Sequence, residues 1–223
     1  MLNVQNKPYK GLAMEGVIAG WYAKNTGRDL TPFRLLAARI AERLPPGAKI
    51  LEIAPGPGYL AIALARFGRY DITGLDISRS FVGIATDNAV KAGVEVDFRV
   101  GDAAAIPFAD ASFDFIVCRA AFKNFTQPMQ ALREMQRVLK PAGQALIIDL
   151  RRDASSAAID REVRDMNLPW LARAMTTAIL KYALRPRAYT LAEMRGMAAA
   201  VFGGCEIETG GEPSMGFQAW LTK

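Results

Sequence analysis

A carboxylate followed by a glycine-rich turn is the feature of this sequence most able to do chemistry. Glu52 lies near the end of the apolar run KILEI, and Gly56 and Gly58 follow before a helical pattern begins. Glycines let a ligand approach the backbone without meeting a Cβ atom, and the start of a helix presents unpaired N–H groups. The segment also satisfies the dinucleotide pattern G-x-G-x-x-G/A, but Glu52 would repel a pyrophosphate and attract an ammonium group.

Two further carboxylates end the next two strands that the sequence predicts. Asp76 follows the apolar run 71–75, and Asp102 follows the run 95–100 after one glycine. In open α/β sheets, ligands bind outside the carboxyl ends of the strands. We therefore expect Glu52, Asp76 and Asp102 to lie at one edge of the sheet and to face one ligand.

Four segments, in order, resemble the motifs of the class I S-adenosylmethionine (SAM)-dependent methyltransferases. They are EIAPGPG at 52–58, GLDIS at 74–78, VGDAAAIPF at 100–108 and SFDFIVCR at 112–119. The first motif departs from the family form [DE]-x-G-x-G-x-G, because Ala54 replaces its first glycine. This departure concerns how closely the methionine end of the cofactor can lie against the strand.

The resemblance implies SAM as cofactor and assigns roles to residues of these motifs. Asp76 is expected to accept hydrogen bonds from both ribose hydroxyls, and Ile77 to pack on the adenine. Asp102 is expected to accept from the adenine amino group, and the N–H of Ala103 to meet the ring. The full set of expected cofactor-binding residues is Tyr22, Glu52, Ala54, Gly56, Gly58, Asp76, Ile77, Asp102, Ala103 and Arg119.

Two segments outside the motifs supply aromatic and polar candidates. Tyr22 lies in IAGWYAKNTG, similar to the N-terminal helix of relatives such as the ubiquinone and menaquinone biosynthesis methyltransferases, in which an aromatic residue closes over the cofactor. The alternative is an aromatic that holds the helix on the domain. Beyond the fourth strand, Lys123 and Asn124 can donate hydrogen bonds or hold a negative charge, or can form an exposed turn. The expected substrate-binding residues are Tyr9, Lys123, Asn124 and Arg151.

The order of patterns predicts an α/β fold of one domain, 1–223, with a Rossmann-like seven-stranded, mostly parallel sheet and helices on both faces. Residues 1–46 are interpreted as N-terminal cap helices. Residues 153–187 are interpreted as a helical lid inserted after the fifth strand, or as a helix pair packed on the sheet edge. Thr31 is predicted to cap a helix whose first turn contains Pro32, and the capping box of Thr190 with Glu193 predicts a second helix start. The predicted strands are 49–53, 71–75, 95–100, 113–118, 144–150, 205–209 and 216–221.

Composition limits the chemistry that is available. The 223 residues include no histidine and two cysteines, so we expect neither an imidazole base nor a metal site. Cys118 and Cys205 lie in apolar segments and are predicted to be buried thiols. No signal peptide or membrane-spanning run is recognised, so a cytoplasmic protein is expected. The net charge of +6 is concentrated in residues 1–50 (+5) and 151–195 (+4).

These features predict a methyltransferase that acts on a small, anionic or phenolic molecule. The candidates for steering an anion are the basic residues Lys7, Lys10, Lys123, Arg151, Arg152 and Arg173. No catalytic base is identified. The alternatives are an RNA methyltransferase, a non-catalytic SAM-binding protein and an NAD-dependent oxidoreductase. A nucleic-acid or membrane partner is not expected, and the oligomeric state is left open.

Overall fold

The computed structural model describes residues 9–10, 14–166, 168–209 and 214–223. Lys7, a candidate for steering an anion, lies outside the described residues. The helices are α1 (Gly16–Thr26), α2 (Thr31–Ala41), α3 (Tyr59–Ala65), α4 (Arg79–Ala92), α5 (Pro128–Val138), α6 (Ser156–Asp165), α7 (Trp170–Ala178) and α8 (Leu191–Ala199). The strands are β1 (Lys49–Ile53), β2 (Asp71–Asp76), β3 (Asp97–Val100), β4 (Phe113–Arg119), β5 (Leu139–Leu150), β6 (Gly204–Glu208) and β7 (Gly216–Thr222).

The seven strands form one sheet in the order β3-β2-β1-β4-β5-β7-β6. Strands β1 to β5 pair in parallel, and β7 is antiparallel to both β5 and β6. The chain order reverses between β1 and β4, which are neighbours in the sheet. Such a switch point is where ligands bind in open α/β sheets. The predicted Rossmann-like, mostly parallel sheet is confirmed.

Apolar side chains pack on both faces of the sheet, because the central strands are buried from both sides. On one face, Phe33, Leu36 and Ile40 of α2 pack with Leu60 and Leu64 of α3. On the other face, α5 and α8 pack against the same strands, and their buried core residues are Ala131, Leu132, Met135, Val138, Met194 and Ala198. The sheet is thus covered by helices on both faces, as predicted.

Several local predictions differ from the structure. Thr31 is the first residue of α2 and not its cap: Asp29 Oδ1 accepts the N–H of Thr31 at 2.9 Å. Strand β5 begins at Leu139, five residues before the predicted start, because the residues after α5 continue directly into the sheet. Cys118 is buried as predicted, but Cys205 is exposed, since it lies on the edge strand β6. The capping box of Thr190 with Glu193 is confirmed.

The segment between β5 and α8 is helical. It contains α6, α7, a π-helical segment at Ile179–Leu184 and a short 3₁₀ helix at Arg185–Arg187. Asp160 of α6 forms an ion pair with Lys181 of the π-helical segment, with an N–O distance of 2.7 Å. This ion pair connects α6 to the π-helical segment within the insertion. The role of this insertion as a lid remains a prediction.

Among the residues that the structure describes, no helix has both the length and the apolar character needed to cross a membrane.

Candidate functional site

The predicted site residues collect at the carboxyl edge of the parallel strands. Glu52 lies one residue before the end of β1, and Asp76 is the last residue of β2. Asp102 follows the end of β3 by two residues, and Asp76 pairs in register with Val100. The three carboxylates therefore occupy neighbouring strand ends, as expected from the sequence.

The glycine-rich loop after β1 combines an open position with a closely packed one. Gly56 has φ +54°, and a Cβ atom placed there would meet no atom within 4 Å. Gly58 has φ +80°, and its Cβ would lie 2.7 Å from the ring of Phe98 and 2.9 Å from Cβ of Ala85. Gly56 thus leaves the backbone open to a ligand, whereas Gly58 lets helix α3 begin close to β3 and α4.

Asp76 connects this loop to the end of β2. Its Oδ2 accepts the N–H of Gly56 at 3.0 Å, and its Oδ1 accepts the N–H of Ser78 at 2.9 Å. Burial raises the pKa of Asp76 above its usual range, and these two N–H groups oppose the shift. Each carboxylate oxygen can accept a second hydrogen bond, so Asp76 retains capacity for two hydroxyl donors.

Glu52 is a buried acid with an unused oxygen. The residue is 3% exposed, and its Oε2 has no hydrogen-bond partner among the described residues. Burial raises the pKa of Glu52 to about 8, although the N–H of Ala61 and the guanidinium of Arg119 oppose the shift. An unpartnered buried acceptor calls for a donor that the described residues do not supply, and an ammonium group would provide one.

Ala54 occupies the place of the family's first glycine, and its backbone is strained. Its φ is +55°, in the left-handed region that favours glycine. Its N–H donates to the carbonyl of Leu75 at 2.8 Å, which holds the loop beside β2. The substitution therefore retains the turn that the motif requires but adds a methyl group and strain to it.

The predicted adenine-binding residues lie beside Asp76. Ile77 is 40% exposed, which leaves its side chain free to pack on a ring. Asp102 uses Oδ1 to accept the N–H of Ala104 at 2.9 Å, which leaves its second oxygen for a ligand. Ala103 is buried beneath this turn.

The N-terminal segment contacts both sides of the site. The carboxylate of Glu15 accepts the N–H groups of Arg79 and Ser80 at the start of α4. Tyr22 of α1 packs edge-on against Phe81 with ring centroids 5.8 Å apart. This contact fits the interpretation of Tyr22 as an aromatic residue that holds α1 on the domain.

Tyr9 pairs with Phe125 in an isolated β-bridge on the other side of the site. The pKa of the Tyr9 phenol is raised, first by burial and then by Tyr22, Asp76 and Asp149, whereas Arg187 opposes the shift. Tyr9 is therefore close enough to Asp76 and to Asp149 to interact electrostatically with both.

Lys123 and Asp149 form a buried ion pair where β4 and β5 end. The Nζ of Lys123 lies 2.7 Å from Oδ1 of Asp149 and 2.6 Å from the carbonyl of Ala120. The side chains are 6% and 3% exposed. Sequence reasoning missed Asp149, although it ends an apolar run as Glu52 and Asp76 do. Because Asp149 neutralises it, Lys123 is not a free cation for a substrate.

The other predicted substrate residues differ in their surroundings. Asn124 is buried, its backbone carbonyl accepts the N–H of Lys10, and its Oδ1 has no partner among the described residues. Arg151 is paired with Asp153 at 2.9 Å, and Arg152 forms an ion pair with Glu193. The positive charges of the two arginines are therefore compensated locally.

A cavity of about 350 Å³ adjoins these residues on the side of β5 and β7. Its apolar wall includes Ile148, Leu150, Leu180, Leu184, Met215 and Phe217. Its polar wall includes Arg119, Lys123, Asp149, Glu162, Glu208 and Gln218. Arg119 lies 4.5 Å above the ring of Phe33 and interacts electrostatically with Glu52. Arg119 thus belongs both to this cavity and to the carboxylate edge.

The residues present fit a SAM molecule. Gly56 leaves an open approach to the backbone, and the unpartnered Oε2 of Glu52 suits an ammonium group. Asp76 retains acceptor capacity for ribose hydroxyls, and the exposed Ile77 offers an apolar surface for adenine. These groups match the hydrogen-bonding groups of an adenosine with an amino-acid end. The carboxylates would repel a pyrophosphate.

Comparison with known proteins extends these observations to a family. Residues 51–147 match a family described as "Methyltransferase domain". The ubiquinone/menaquinone biosynthesis C-methyltransferase UbiE of Bordetella avium is 34% identical over 161 residues, which cover 67% of this chain and 62% of that protein. The methyltransferase YcgJ of Bacillus subtilis is 38% identical over 102 residues, which cover 45% of this chain and 40% of that protein. The chain spans 40–62% of the length of these two relatives.

Solved structures agree with this relationship. The structure of the YcgJ protein superposes with a TM-score of 0.58 at 27% identity, covering 79% of this chain and 69% of that one. A putative SAM-dependent methyltransferase of Methanococcus maripaludis superposes with a TM-score of 0.71 at 23% identity, covering 100% of this chain and 97% of that one, and shows the same fold. Residues 51–147 therefore form a methyltransferase domain, and the chain has the motifs and the fold of the class I SAM-dependent methyltransferases.

Proposed function

We propose that this chain transfers a methyl group from SAM to a small, largely apolar acceptor that carries a phenolate or a similar anionic group. The observation that carries the proposal is the position of Arg119. Its guanidinium lines the 350 Å³ cavity and also interacts with Glu52 at the cofactor edge. A group held by Arg119 in the cavity therefore lies beside the cofactor site.

Bound SAM supplies an activated methyl group, and the protein's task is to position cofactor and acceptor. In this proposal Glu52 holds the ammonium group, Asp76 the ribose hydroxyls, and Asp102 with Ala103 the adenine. Ile77 packs on the adenine ring. Tyr22 and Tyr9 close the site from the N-terminal segment, and the loop at Ala54, Gly56 and Gly58 receives the methionine end.

Arg119 supports an acceptor with one anionic group on an apolar body. Three carboxylates also line the cavity, but Asp149 is paired with Lys123, Glu208 is paired with Arg39, and Glu162 accepts the N–H of Met215. Arg119 has no carboxylate within ion-pair distance among the described residues, and burial favours the neutral form of Glu52. Lys123 and Arg151 are compensated by Asp149 and Asp153, so Arg119 replaces them as the proposed anion-binding residue. Lys123 and Asn124 were predicted to bind the substrate or to form an exposed turn. Both are buried, so an exposed turn is wrong, and we now propose a structural role for them beside the cavity.

An ionised acceptor also explains how the reaction proceeds without an assigned general base. General-base catalysis matters when the nucleophile must lose a proton in the reaction, and a phenolate has already lost it. The chain contains no histidine that could act as the base. We therefore expect transfer rates to follow the ionised fraction of the acceptor.

The test is transfer of labelled methyl from SAM to a series of phenols and carboxylic acids by the wild-type protein and by Arg119→Met. We expect at least one phenol to be methylated, and the KM for that acceptor to rise about tenfold or more in Arg119→Met, since a hydrogen-bonded charge contact contributes about 1.5–3 kcal/mol. Arg34→Met, an exposed arginine of α2 outside the cavity lining, is the matched control. Methylation of RNA with no transfer to small acceptors would contradict the proposal.

A further inference from the structure

The insertion after β5 presents an unusual apolar surface. Leu171, Met175, Ile179 and Tyr182 recur at spacings of four, four and three residues along α7 and the π-helical segment, with Trp170 beside them. Trp170 is 74% exposed, Met175 57% and Tyr182 78%. We call these five residues the α7 surface.

The orientation of α7 is the reverse of that of an ordinary surface helix. No residue of α7 is buried, and its half-buried positions are the small residues Ala172, Thr176 and Thr177. A helix on a monomeric protein normally turns its large apolar side chains toward the core. Contiguous exposed apolar residues of this kind mark a surface that binds something else.

The charges beside this surface select its partner. Residues 166–192 include Arg173, Lys181, Arg185 and Arg187 and no aspartate or glutamate, and of these four cations Lys181 is compensated by Asp160 of α6. Arg173 is exposed and has no ion-pair partner among the described residues. Apolar residues flanked by cations, with Trp and Tyr near the two ends, fit the interface of an anionic bilayer. A second copy of the chain would bring two basic surfaces together.

We propose that the α7 surface docks this protein on an anionic lipid surface. The large apolar side chains enter the acyl boundary of one leaflet, and Arg173 contacts lipid phosphates. This is peripheral binding by one helix face and requires no membrane-spanning segment. It goes beyond the proposed methyl transfer and does not depend on it.

The inner side of the same segment reaches the acceptor cavity. Leu180 and Leu184 alternate with Ile179 and Tyr182 and line the 350 Å³ cavity. One short segment therefore has a lipid-facing side and a cavity-lining side. Docking would place the wall of the cavity next to the bilayer, where apolar acceptors are concentrated.

The test is co-sedimentation of the full chain, without SAM, with vesicles of phosphatidylcholine containing one quarter phosphatidylglycerol, and with vesicles of phosphatidylcholine alone. We expect the partition coefficient for the anionic vesicles to be at least fivefold higher and to fall in 0.5 M NaCl. Leu171→Gln/Met175→Gln should lower it at least tenfold, and Arg173→Gln about fivefold. The control is Leu35→Gln/Val90→Gln, which changes two exposed apolar residues of α2 and α4 and should bind as the wild type does.

A spectroscopic measurement does not depend on the folding of these variants. In Trp21→Phe, the remaining tryptophans are Trp170 on the α7 surface and the buried Trp220. Anionic vesicles should shift the emission to the blue, and lipids brominated on the acyl chains should quench it. Absence of binding or of this shift overturns the proposal. So does a dimer, observed without lipid by sedimentation equilibrium, that Leu171→Gln/Met175→Gln dissociates, because the surface then belongs to a second copy.

Discussion

The backbone N–H of Gly56 donates a hydrogen bond of 3.0 Å to Oδ2 of Asp76, and this contact joins the two halves of the proposed cofactor site. It fixes the open glycine position after β1 against the end of β2. The same carboxylate is proposed to bind the ribose hydroxyls. One side chain therefore both shapes the loop and contacts the ligand.

We predict that Asp76→Asn weakens SAM binding by about 10- to 100-fold. Loss of the charge weakens two hydrogen bonds to hydroxyl groups, each of which contributes about 1.5–3 kcal/mol when one partner is charged. Isothermal titration calorimetry with SAM measures the change. Asp87→Asn, on the exposed side of α4, is the matched control and should bind as the wild type does. Equal affinities for the two variants would contradict the assignment of Asp76.

Glu52 predicts a pH dependence of stability. Burial raises its pKa to about 8 in the folded protein, whereas the unfolded chain has the ordinary value of 4.5. Between these pH values the folded chain binds more protons than the unfolded chain, so the free energy of unfolding falls as pH rises. We expect Glu52 to account for a fall of about 3 kcal/mol between pH 5 and pH 8.

Urea unfolding of the wild type and of Glu52→Gln at both pH values isolates this effect. Glu52→Gln should lack this component of the fall and should be more stable than the wild type at pH 8. The same substitution should weaken SAM binding, because an amide does not form an ion pair with the ammonium group. Parallel pH profiles for the two proteins would show that Glu52 ionises normally.

The strained alanine after β1 gives a third prediction. Ala54→Gly should raise the free energy of unfolding by about 1 kcal/mol, since it removes the cost of a left-handed residue with a Cβ. Ala111→Gly should stabilise by a similar amount, because Ala111 has φ +52° in an exposed loop. Only Ala54→Gly should change SAM affinity, and the change should be an increase. Titration of both variants with SAM separates backbone strain from contact with the ligand.

The buried ion pair of Lys123 and Asp149 gives a fourth prediction. Lys123→Met leaves a buried carboxylate without its cation and should destabilise the protein by about 3–5 kcal/mol. Lys123→Met/Asp149→Asn should restore part of this loss, because it removes the unpaired buried charge. The restoration should be incomplete, since the single amide oxygen can accept only one of the two backbone N–H groups, of residue 123 and of Leu150, that the two oxygens of Asp149 bind. Chemical denaturation measures both. A double variant less stable than the single one would show that the charge of Asp149 has another partner.

The sequence was sufficient to predict the sheet and the edge at which the three carboxylates lie. Buried strands are nearly continuous apolar runs, so their ends, and the carboxylates Glu52, Asp76 and Asp102, can be located from the pattern. The order of parallel strands then brings these ends together. The same reasoning would have found Asp149, whose strand ends in LIIDL.

The sequence pattern could not show which charged residues form ion pairs or which apolar side chains are exposed. That Asp149 neutralises Lys123 depends on how β4 and β5 are placed side by side, and the exposure of Cys205 depends on β6 being an edge strand. The apolar residues of α7 resemble those of a core-facing helix, and the sequence therefore indicated no membrane partner. Only the packing shows that this face is turned outward.

The central claim is that Glu52, Asp76 and the loop at Gly56 bind an adenosine with an amino-acid end, and calorimetric titration of the wild-type protein with S-adenosylhomocysteine and with NAD tests it most directly. We predict saturable one-to-one binding of S-adenosylhomocysteine, weakened at least tenfold in Asp76→Asn, and no binding of NAD. Binding of NAD, or failure of S-adenosylhomocysteine to bind the folded protein, would contradict the account.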